Sequence, residues 1–280
     1  MPTEVLLVVL GSALLHAGWN ALVRASADKF LASLHVVGGA GVFALLLLPW
    51  LPAPHAASWP WALASGLIHV VYFSLVARAY RGAALALAYP LMRGTAPVLT
   101  ALAAALWLGE WLGAAGWLAV ALVCAGVLSL AAASRRLGHG GADAARAALA
   151  NAAVIALYTL VDGQGVRAAG HALAYTAWVF LITAVLLLAV AWQRRGAAAL
   201  RPTAAALRTT TVGGAGTLGA YALVLWAMTQ APIALVAALR ESAIVMAMLI
   251  GWVVLRERPT RAQWLAALLV GCGAALMRLG

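Results

Sequence analysis

The 280-residue chain is 66% apolar and only 9% charged, whereas a soluble domain is about half apolar and about one quarter charged. Too few polar side chains are present to cover a soluble fold of this size, and the abundant apolar ones exclude a disordered chain. The net charge of +11 would suit nucleic-acid binding, but the basic residues lie in the short breaks between long apolar runs, which is typical of membrane proteins.

Ten apolar runs follow one another along the chain, each close to the length of about 20 residues that crosses a bilayer. The predicted spans are 4–24, 31–50, 59–77, 83–107, 112–133, 147–166, 171–192, 209–229, 231–254 and 262–278. We expect helices, because an open strand cannot satisfy its backbone hydrogen bonds in lipid. The first run has neither the basic start nor the cleavage site of a signal peptide, so we expect it to be retained.

The distribution of lysine and arginine predicts the orientation of these spans. Of the 18 basic residues, 14 lie in the loops after odd-numbered spans, two lie on the opposite side, and two lie inside spans. Positive loops stay cytoplasmic. The sequence therefore predicts a multi-pass protein of the bacterial inner membrane with both termini on the non-cytoplasmic side.

An internal repeat is visible in the rarer residue types. At a constant offset of 147, Arg93 matches Arg240 and Glu110 matches Glu257, as do Trp117 and Trp264, Leu118 and Leu265, and Gly126 and Gly273. The predicted organisation is a first repeat of five spans, a connecting loop and a second repeat of five spans, at 1–134, 135–146 and 147–280. Because five is odd, the second repeat must be inverted in the membrane, as in many secondary transporters. The predicted fold class is an all-α polytopic membrane protein of ten helices in two inverted repeats.

Several short motifs lie in the two halves of the chain. They are residues 89–93 (YPLMR) with Pro97, 108–110 (LGE), 238–241 (ALRE) and 255–257 (LRE). These motifs resemble the EamA family of the drug/metabolite transporter superfamily, and residues 16–20 (HAGWN) are similar to the opening of one of its subgroups. This resemblance covers the whole chain and implies a ten-span protein with two EamA repeats. It also implies an exporter or exchanger of amino acids or other small metabolites.

Four ionisable residues are predicted to lie well inside spans. Arg93 and Arg240 would each cost at least about 2.5–3.5 kcal/mol to insert there, so each requires a partner or a hydrated cavity. The guanidinium groups either grip a substrate carboxylate or phosphonate or lock helices together through ion pairs. Asp162 and Glu241 either carry a coupling proton or act as charge partners.

Proline and polar residues mark further positions in these spans. Pro90, Gly94 and Pro97 predict that span 4 is bent or interrupted beside Arg93. Residues three or four apart share a helix face, which groups His16 with Asn20, His69 with Tyr72, and Tyr158 with Asp162. These stripes either line a cavity or join helices by hydrogen bonds. The residues predicted to contact substrate are Arg93, Arg240, His16, Trp19, Asn20, Tyr72, Tyr89 and Tyr158.

The predicted function is secondary transport of a small polar metabolite, such as an amino acid or organic anion, by alternating access. A lipid or lipid-linked-sugar flippase of the same fold is the alternative. The sequence contains neither HExxH nor GxSxG, so no enzyme activity is expected, and no cofactor or metal is predicted. The expected partners are a small-molecule substrate and the lipid bilayer, not a nucleic acid, and a homodimer is compatible with the sequence.

Overall fold

The computed structural model describes residues 1–26, 28–79, 85–134, 141–196 and 204–279. Within them all regular structure is helical. The α-helices are α1 (Thr3–Ala25), α2 (Lys29–Leu47), α3 (Trp59–Ala79), α4 (Leu85–Ala103), α5 (Ala114–Ser134), α6 (Gly141–Ala169), α7 (Ala172–Arg195), α8 (Ala204–Arg208), α9 (Gly214–Gln230), α10 (Ile233–Arg240), α11 (Ala243–Leu255) and α12 (Arg261–Leu279). Nine helical runs in the described residues are long and apolar enough to cross a membrane. The predicted all-α polytopic membrane fold is confirmed.

Five of these runs join more than one helical segment, and in two of them the added segment is a short 3-10 helix, Leu48–Trp50 after α2 and Ala56–Ser58 before α3. A π-helix, Ala104–Leu108, extends α4, and another, Thr209–Gly213, joins α8 to α9. The ninth run, Ile233–Val253, covers α10 and most of α11. The tenth predicted span coincides with α12, which is not among the nine and which carries arginine near both ends.

Two contacts favour α12 as a further crossing. Glycines of α5 and α12 lie where the two helices meet: Gly126 faces Leu269, and Gly273 faces Val123. Residue numbers rise along one helix as they fall along the other, so α12 runs antiparallel beside a membrane-length helix. The backbone nitrogen of Met1 also donates to the carbonyl of Met277 at 2.9 Å. The start of α1 and the end of α12 therefore lie together, as an even number of crossings requires.

Packing divides the chain into two compact units, and neither is a half of the sequence. Unit 1 comprises Met1–Leu14, Ser74–Leu160 and Gln230–Gly280, and unit 2 comprises Leu15–Phe73 and Val161–Thr229. The chain passes from unit 1 to unit 2 inside α1, after Leu14, and again inside α6, after Leu160. These two positions differ by 146 residues, one less than the offset of 147 between the repeats. Each unit thus takes corresponding parts of both halves, while the division into repeats at 134 and 147 stays a prediction.

Helices at matched positions in the two halves run antiparallel within each unit. In unit 1 these are α5 and α12. In unit 2, α2 packs on α7, with Gly41 against Ala184 and Gly38 against Leu188. Residues 184 and 188 lie 147 positions beyond 37 and 41, so each helix offers the other nearly the same surface. Such reciprocal contacts are the expected consequence of a pseudo-two-fold relation.

The ends of spans 4 and 9 repeat a backbone feature at the same offset. Gly109, with φ of 69°, ends the first, and Arg256, with φ of 57°, ends the second. The following amides donate to carbonyls six residues back, from Glu110 to Ala104 and from Glu257 to Gly251. A left-handed arginine costs about 1–2 kcal/mol more than glycine, so the turn is retained in the second half despite an unfavourable residue.

The structure differs from the expected local structure at two places. Helix α6 begins at Gly141, inside the predicted connecting loop, of which 135–140 lie outside the described residues. Helix α4 continues from Leu85 to Ala103 through Pro90 and Pro97 without a break, because neighbouring helices let membrane helices tolerate proline. A bend at this point stays a prediction.

The interruption lies in span 9 instead, between α10 and α11. Its backbone tightens to three-residue hydrogen bonds, in which the amides of Glu241 and Ser242 each donate at 3.0 Å to carbonyls three residues back. Neither residue is a proline or a glycine, so the helix-breaking signal of span 4 has no counterpart where the break occurs.

A buried ion pair and a buried carboxylate cluster

Arg93 and Glu241 form an ion pair inside unit 1. Arg93 lies near the middle of α4, and Glu241 lies in the interruption between α10 and α11. The Arg93 Nε donates to Glu241 Oε2 at 2.9 Å, and each residue is only 3% exposed. The carboxylate offsets the cost of a buried guanidinium, which would otherwise be several kcal/mol.

Arg240 lies beside this pair as the last residue of α10. It is half-buried, and its positive charge also acts on the Glu241 carboxylate. The two arginines that the repeat predicted thus share one carboxylate. Among the described residues, Glu241 is the one acid of unit 1 that lies away from the ends of a membrane span.

Two further buried polar side chains adjoin the residues of the ion pair: Asn151 contacts Met92, the neighbour of Arg93, and Ser242 follows Glu241 in the chain. The Asn151 side chain is fully buried, and its Nδ2 donates to Met92 Sδ at 3.0 Å. The Asn151 Oδ1 and the Ser242 Oγ have no hydrogen-bond partner among the described residues. Since buried polar groups are normally satisfied, both atoms are candidates to bind water or substrate.

Two of the predicted tyrosines share unit 1 with the ion pair. Tyr89 lies one turn before Arg93 on α4 and is half-buried. Tyr158 lies on α6, two turns after Asn151 and on the same face, and is 2% exposed. Four predicted substrate-contacting residues, Arg93, Arg240, Tyr89 and Tyr158, therefore belong to one compact unit.

A second buried carboxylate, that of Asp162 on α6, lies in unit 2. It is fully buried, and two tyrosine hydroxyls donate to it: Tyr175 of α7 to Oδ1 at 3.2 Å and Tyr221 of α9 to Oδ2 at 2.5 Å. Although Tyr158 is four residues away on the same helix, it belongs to unit 1. The predicted Tyr158–Asp162 stripe is therefore divided between units.

Helix α3 supplies the remaining groups around Asp162. The hydroxyl of Ser65 hydrogen-bonds the carboxylate, and the charge of His69 acts on it. His69 Nδ1 also lies 2.9 Å from the carbonyl oxygen of Ser65 and 3.1 Å from its Oγ. The His69 ring meets Tyr72 and Tyr221 edge-on, at centroid distances of 6.2 and 6.1 Å. Tyr72, predicted from its spacing to His69, thus lies at the edge of this cluster.

The sequence prediction missed three members of this cluster, Ser65, Tyr175 and Tyr221. Each lies on a helix other than that of Asp162, so helical spacing could not connect them. The one signal in the sequence near Asp162 is Gly165, three residues further along α6. A Cβ atom at this position would overlap the hydroxyl group of Tyr175. The absence of a side chain there admits the tyrosine to the carboxylate.

The predicted residues of α1 mostly contact one another. The Asn20 Nδ2 donates to the carbonyl of His16 at 3.0 Å, and the His16 and Trp19 rings meet edge-on at 4.9 Å. Trp19 also packs beside Val36 and against Gly216 in unit 2. Its Nε1 is buried with no hydrogen-bond partner among the described residues. Of the three, Trp19 retains a buried donor that a ligand could use.

Comparisons with known proteins agree with this architecture. A protein of known crystal structure matches 100% of this chain and 98% of its own, with a TM-score of 0.73 and 23% identity; at this identity the likeness shows a shared fold alone. No curated protein matches the chain significantly. Residues 144–279 match the sequence profile of the EamA-like transporter family, which confirms the predicted resemblance over that part of the chain. The chain is therefore a multi-pass helical membrane protein whose second half is similar to the EamA-like transporter family.

Proposed function

We propose that the protein is a secondary transporter of small polar metabolites that carry an anionic group, such as amino acids or organic anions. The observation that carries this proposal is the Arg93–Glu241 ion pair with Arg240 beside it in unit 1. Two guanidinium groups and one carboxylate favour a ligand that brings a further negative charge. The planar guanidinium also suits bidentate binding of a carboxylate.

In the proposed mechanism the substrate anion competes with Glu241 for Arg93. The carboxylate keeps the guanidinium neutralised while the site is empty, so the cost of an isolated buried charge is avoided. An entering anion takes over one face of the guanidinium, and the Ser242 hydroxyl and Asn151 Oδ1 offer a donor and an acceptor for its other polar groups. The interruption between α10 and α11 gives span 9 a place to bend as the site opens to alternate sides.

We further propose that the protein works in the bacterial inner membrane with both termini on the non-cytoplasmic side. The distribution of lysine and arginine supports this orientation. The proximity of Met1 to Met277 supports an even number of crossings. Cysteine accessibility in cells tests the orientation: a Thr3→Cys variant should react with an impermeant thiol reagent added outside the inner membrane.

Flux into proteoliposomes tests the proposed activity. Wild-type protein should accelerate uptake of at least one compound from a panel of labelled amino acids and small organic anions. The double variant Arg93→Gln with Glu241→Gln removes both charges together and should lose that flux. The matched control, Arg146→Gln, removes an arginine whose side chain is 78% exposed and should keep it.

Two outcomes would contradict the proposal. One is wild-type flux that the double variant retains in full, because the charged pair would then not contact the substrate. The other is the absence of any flux over the panel together with movement of a labelled phospholipid between leaflets, which would assign the protein to the flippase class.

A further inference from the structure

The Asp162 cluster of unit 2 is not used by the proposed anion site. Its carboxylate is fully buried, and the groups that face it come from three other helices: Ser65 and His69 on α3, Tyr175 on α7, and Tyr221 on α9. Among the described residues no lysine or arginine acts on this carboxylate. His69 is the one basic group beside it.

The hydrogen bonds define a path between the histidine and the carboxylate. A backbone carbonyl can only accept, so the contact of His69 Nδ1 with the Ser65 carbonyl oxygen at 2.9 Å places a hydrogen on Nδ1. The same nitrogen lies 3.1 Å from the Ser65 Oγ. Ser65 can therefore accept from His69 while its own hydroxyl hydrogen bonds Asp162.

Burial restricts the charge that this cluster can hold. An isolated carboxylate inside a protein costs far more than one with a charged partner. The cluster is neutral when Asp162 and His69 share one proton, either as carboxylate with imidazolium or as carboxylic acid with neutral imidazole. Hydroxyl donors from Ser65, Tyr175 and Tyr221 stabilise the carboxylate form, which favours the arrangement with the shared proton on His69.

We propose that Asp162, Ser65 and His69 form a proton-binding site that holds one proton in the buried state. The imidazolium passes its Nδ1 hydrogen to the Ser65 Oγ while the Ser65 hydroxyl hydrogen moves to Asp162. This transfer leaves a neutral imidazole and a neutral carboxylic acid and needs no other reactant. Loss of the proton to water leaves one negative charge, which is stable only when the cluster is hydrated. The use of this proton to couple transport rests on the proposed function; the site itself does not.

Infrared spectroscopy of the purified protein at neutral pH tests the site. In wild type we expect no neutral-carboxyl C=O band from Asp162. In His69→Gln the carboxylate loses its basic partner and should take up the proton, which adds one carboxylic band per chain. That band should be absent from His69→Gln combined with Asp162→Asn, and it should remain when Glu241→Gln is combined with His69→Gln instead.

A spectrum of His69→Gln without a new band would overturn the proposal, because Asp162 would then stay ionised without the histidine. So would a band that survives Asp162→Asn, or one that responds to sodium and not to pH. Should His69→Gln fail to fold, nitrogen NMR of ¹⁵N-histidine-labelled wild type decides: His69 should be an imidazolium at neutral pH and become neutral in Asp162→Asn. A neutral His69 beside an ionised Asp162 would overturn the proposal equally. Neither spectrum requires substrate, so failure here is distinguishable from a lack of flux.

Discussion

The two compact units each bury one acid well inside the membrane-spanning helices, but they neutralise it differently. In unit 1 Glu241 faces the Arg93 guanidinium at 2.9 Å, with Arg240 adjacent. In unit 2 Asp162 accepts from tyrosine hydroxyls and lies near His69. An arginine is always charged, so its acid must stay charged or be replaced by another anion. A histidine can lose its charge, so the acid beside it can change its own.

The same acid-to-amide change in both units tests most strongly whether the two buried acids are neutralised differently. Glu241→Gln leaves the buried Arg93 charge without its carboxylate and should cost about 3–5 kcal/mol of unfolding free energy. Asp162→Asn leaves an oxygen to which the tyrosines can still donate and should cost about 1–3 kcal/mol. Thermal unfolding in detergent micelles measures both.

A rescue variant controls for the larger effect. Arg93→Met combined with Glu241→Leu removes the pair together and should recover most of the stability lost in Glu241→Gln, since apolar replacements of a buried pair are often neutral. If Glu241→Gln and Asp162→Asn lower the melting temperature equally, the proposed difference between the units is wrong.

The next largest effect is expected when a hydrogen bond to Asp162 in unit 2 is removed. Tyr221→Phe deletes a hydroxyl that donates to Asp162 Oδ2 and should cost about 1.5–3 kcal/mol, the range for hydrogen bonds to charged groups. Tyr89→Phe in unit 1 is the matched control, because the ion pair is described by the contact between Arg93 and Glu241 and does not involve the Tyr89 hydroxyl group. Equal melting temperatures for Tyr221→Phe and wild type would contradict the role of this hydroxyl.

A steric test compares helix contacts with open positions. A Cβ at Gly39 of α2 would overlap the backbone carbonyl oxygen of Thr210, and backbone cannot move as a side-chain end can. Gly39→Ala should therefore destabilise the protein by about 1–3 kcal/mol. Gly11→Ala on α1, where nothing lies within 4 Å, should be neutral or slightly stabilising. A stable Gly39→Ala would show that α2 does not approach this segment so closely.

The smallest expected effect concerns an ion pair at the ends of two spans, between Asp28 and Arg195. Asp28 caps α2 by accepting from the Leu31 amide at 2.9 Å, and Arg195 donates to its other oxygen at 2.6 Å. Burial alone would raise the pKa of Asp28, but these hydrogen bonds and the Arg195 charge together hold it below the usual 3.8.

The lowered pKa fixes the direction of the pH dependence. The pair contributes stability above the unfolded pKa near 3.8 and loses it as the pH falls through the lower folded value. Both side chains are nearly half exposed, so Arg195→Gln should cost about 0.2–1 kcal/mol at neutral pH. Chemical unfolding should show this difference shrinking in acid and in high salt. A difference that grows as the pH falls would contradict the pairing.

Much of the fold could be predicted from the sequence, because lipid leaves few alternatives. Apolar runs between charged breaks located the helices, since each must reach across the same bilayer thickness. The offset of 147 placed Arg93 and Arg240 as matched positions, and the structure brings both to Glu241. Rare residues carried this signal, which an excess of alanine and leucine would otherwise hide.

The parts that could not be predicted depend on contacts between distant helices. Tyr175 and Tyr221 lie 13 and 59 residues from Asp162, and neither spacing has a meaning within one helix. The interruption of span 9 was missed because it has no proline or glycine. The Asn20 amide donates to the backbone of its own helix, a contact that sequence spacing could not show, and its place in a substrate site stays a prediction.

The central claim is that the Arg93–Glu241 pair belongs to an anion-binding site, and ligand-induced stabilisation of the purified protein tests it most directly. A ligand at 100 times its Kd stabilises the folded state by about 2.7 kcal/mol. Wild type and the Arg146→Gln control should therefore melt several degrees higher with at least one amino acid or organic anion of the panel. The double variant Arg93→Gln with Glu241→Gln should show no such rise, and an equal rise in all three proteins would contradict the claim.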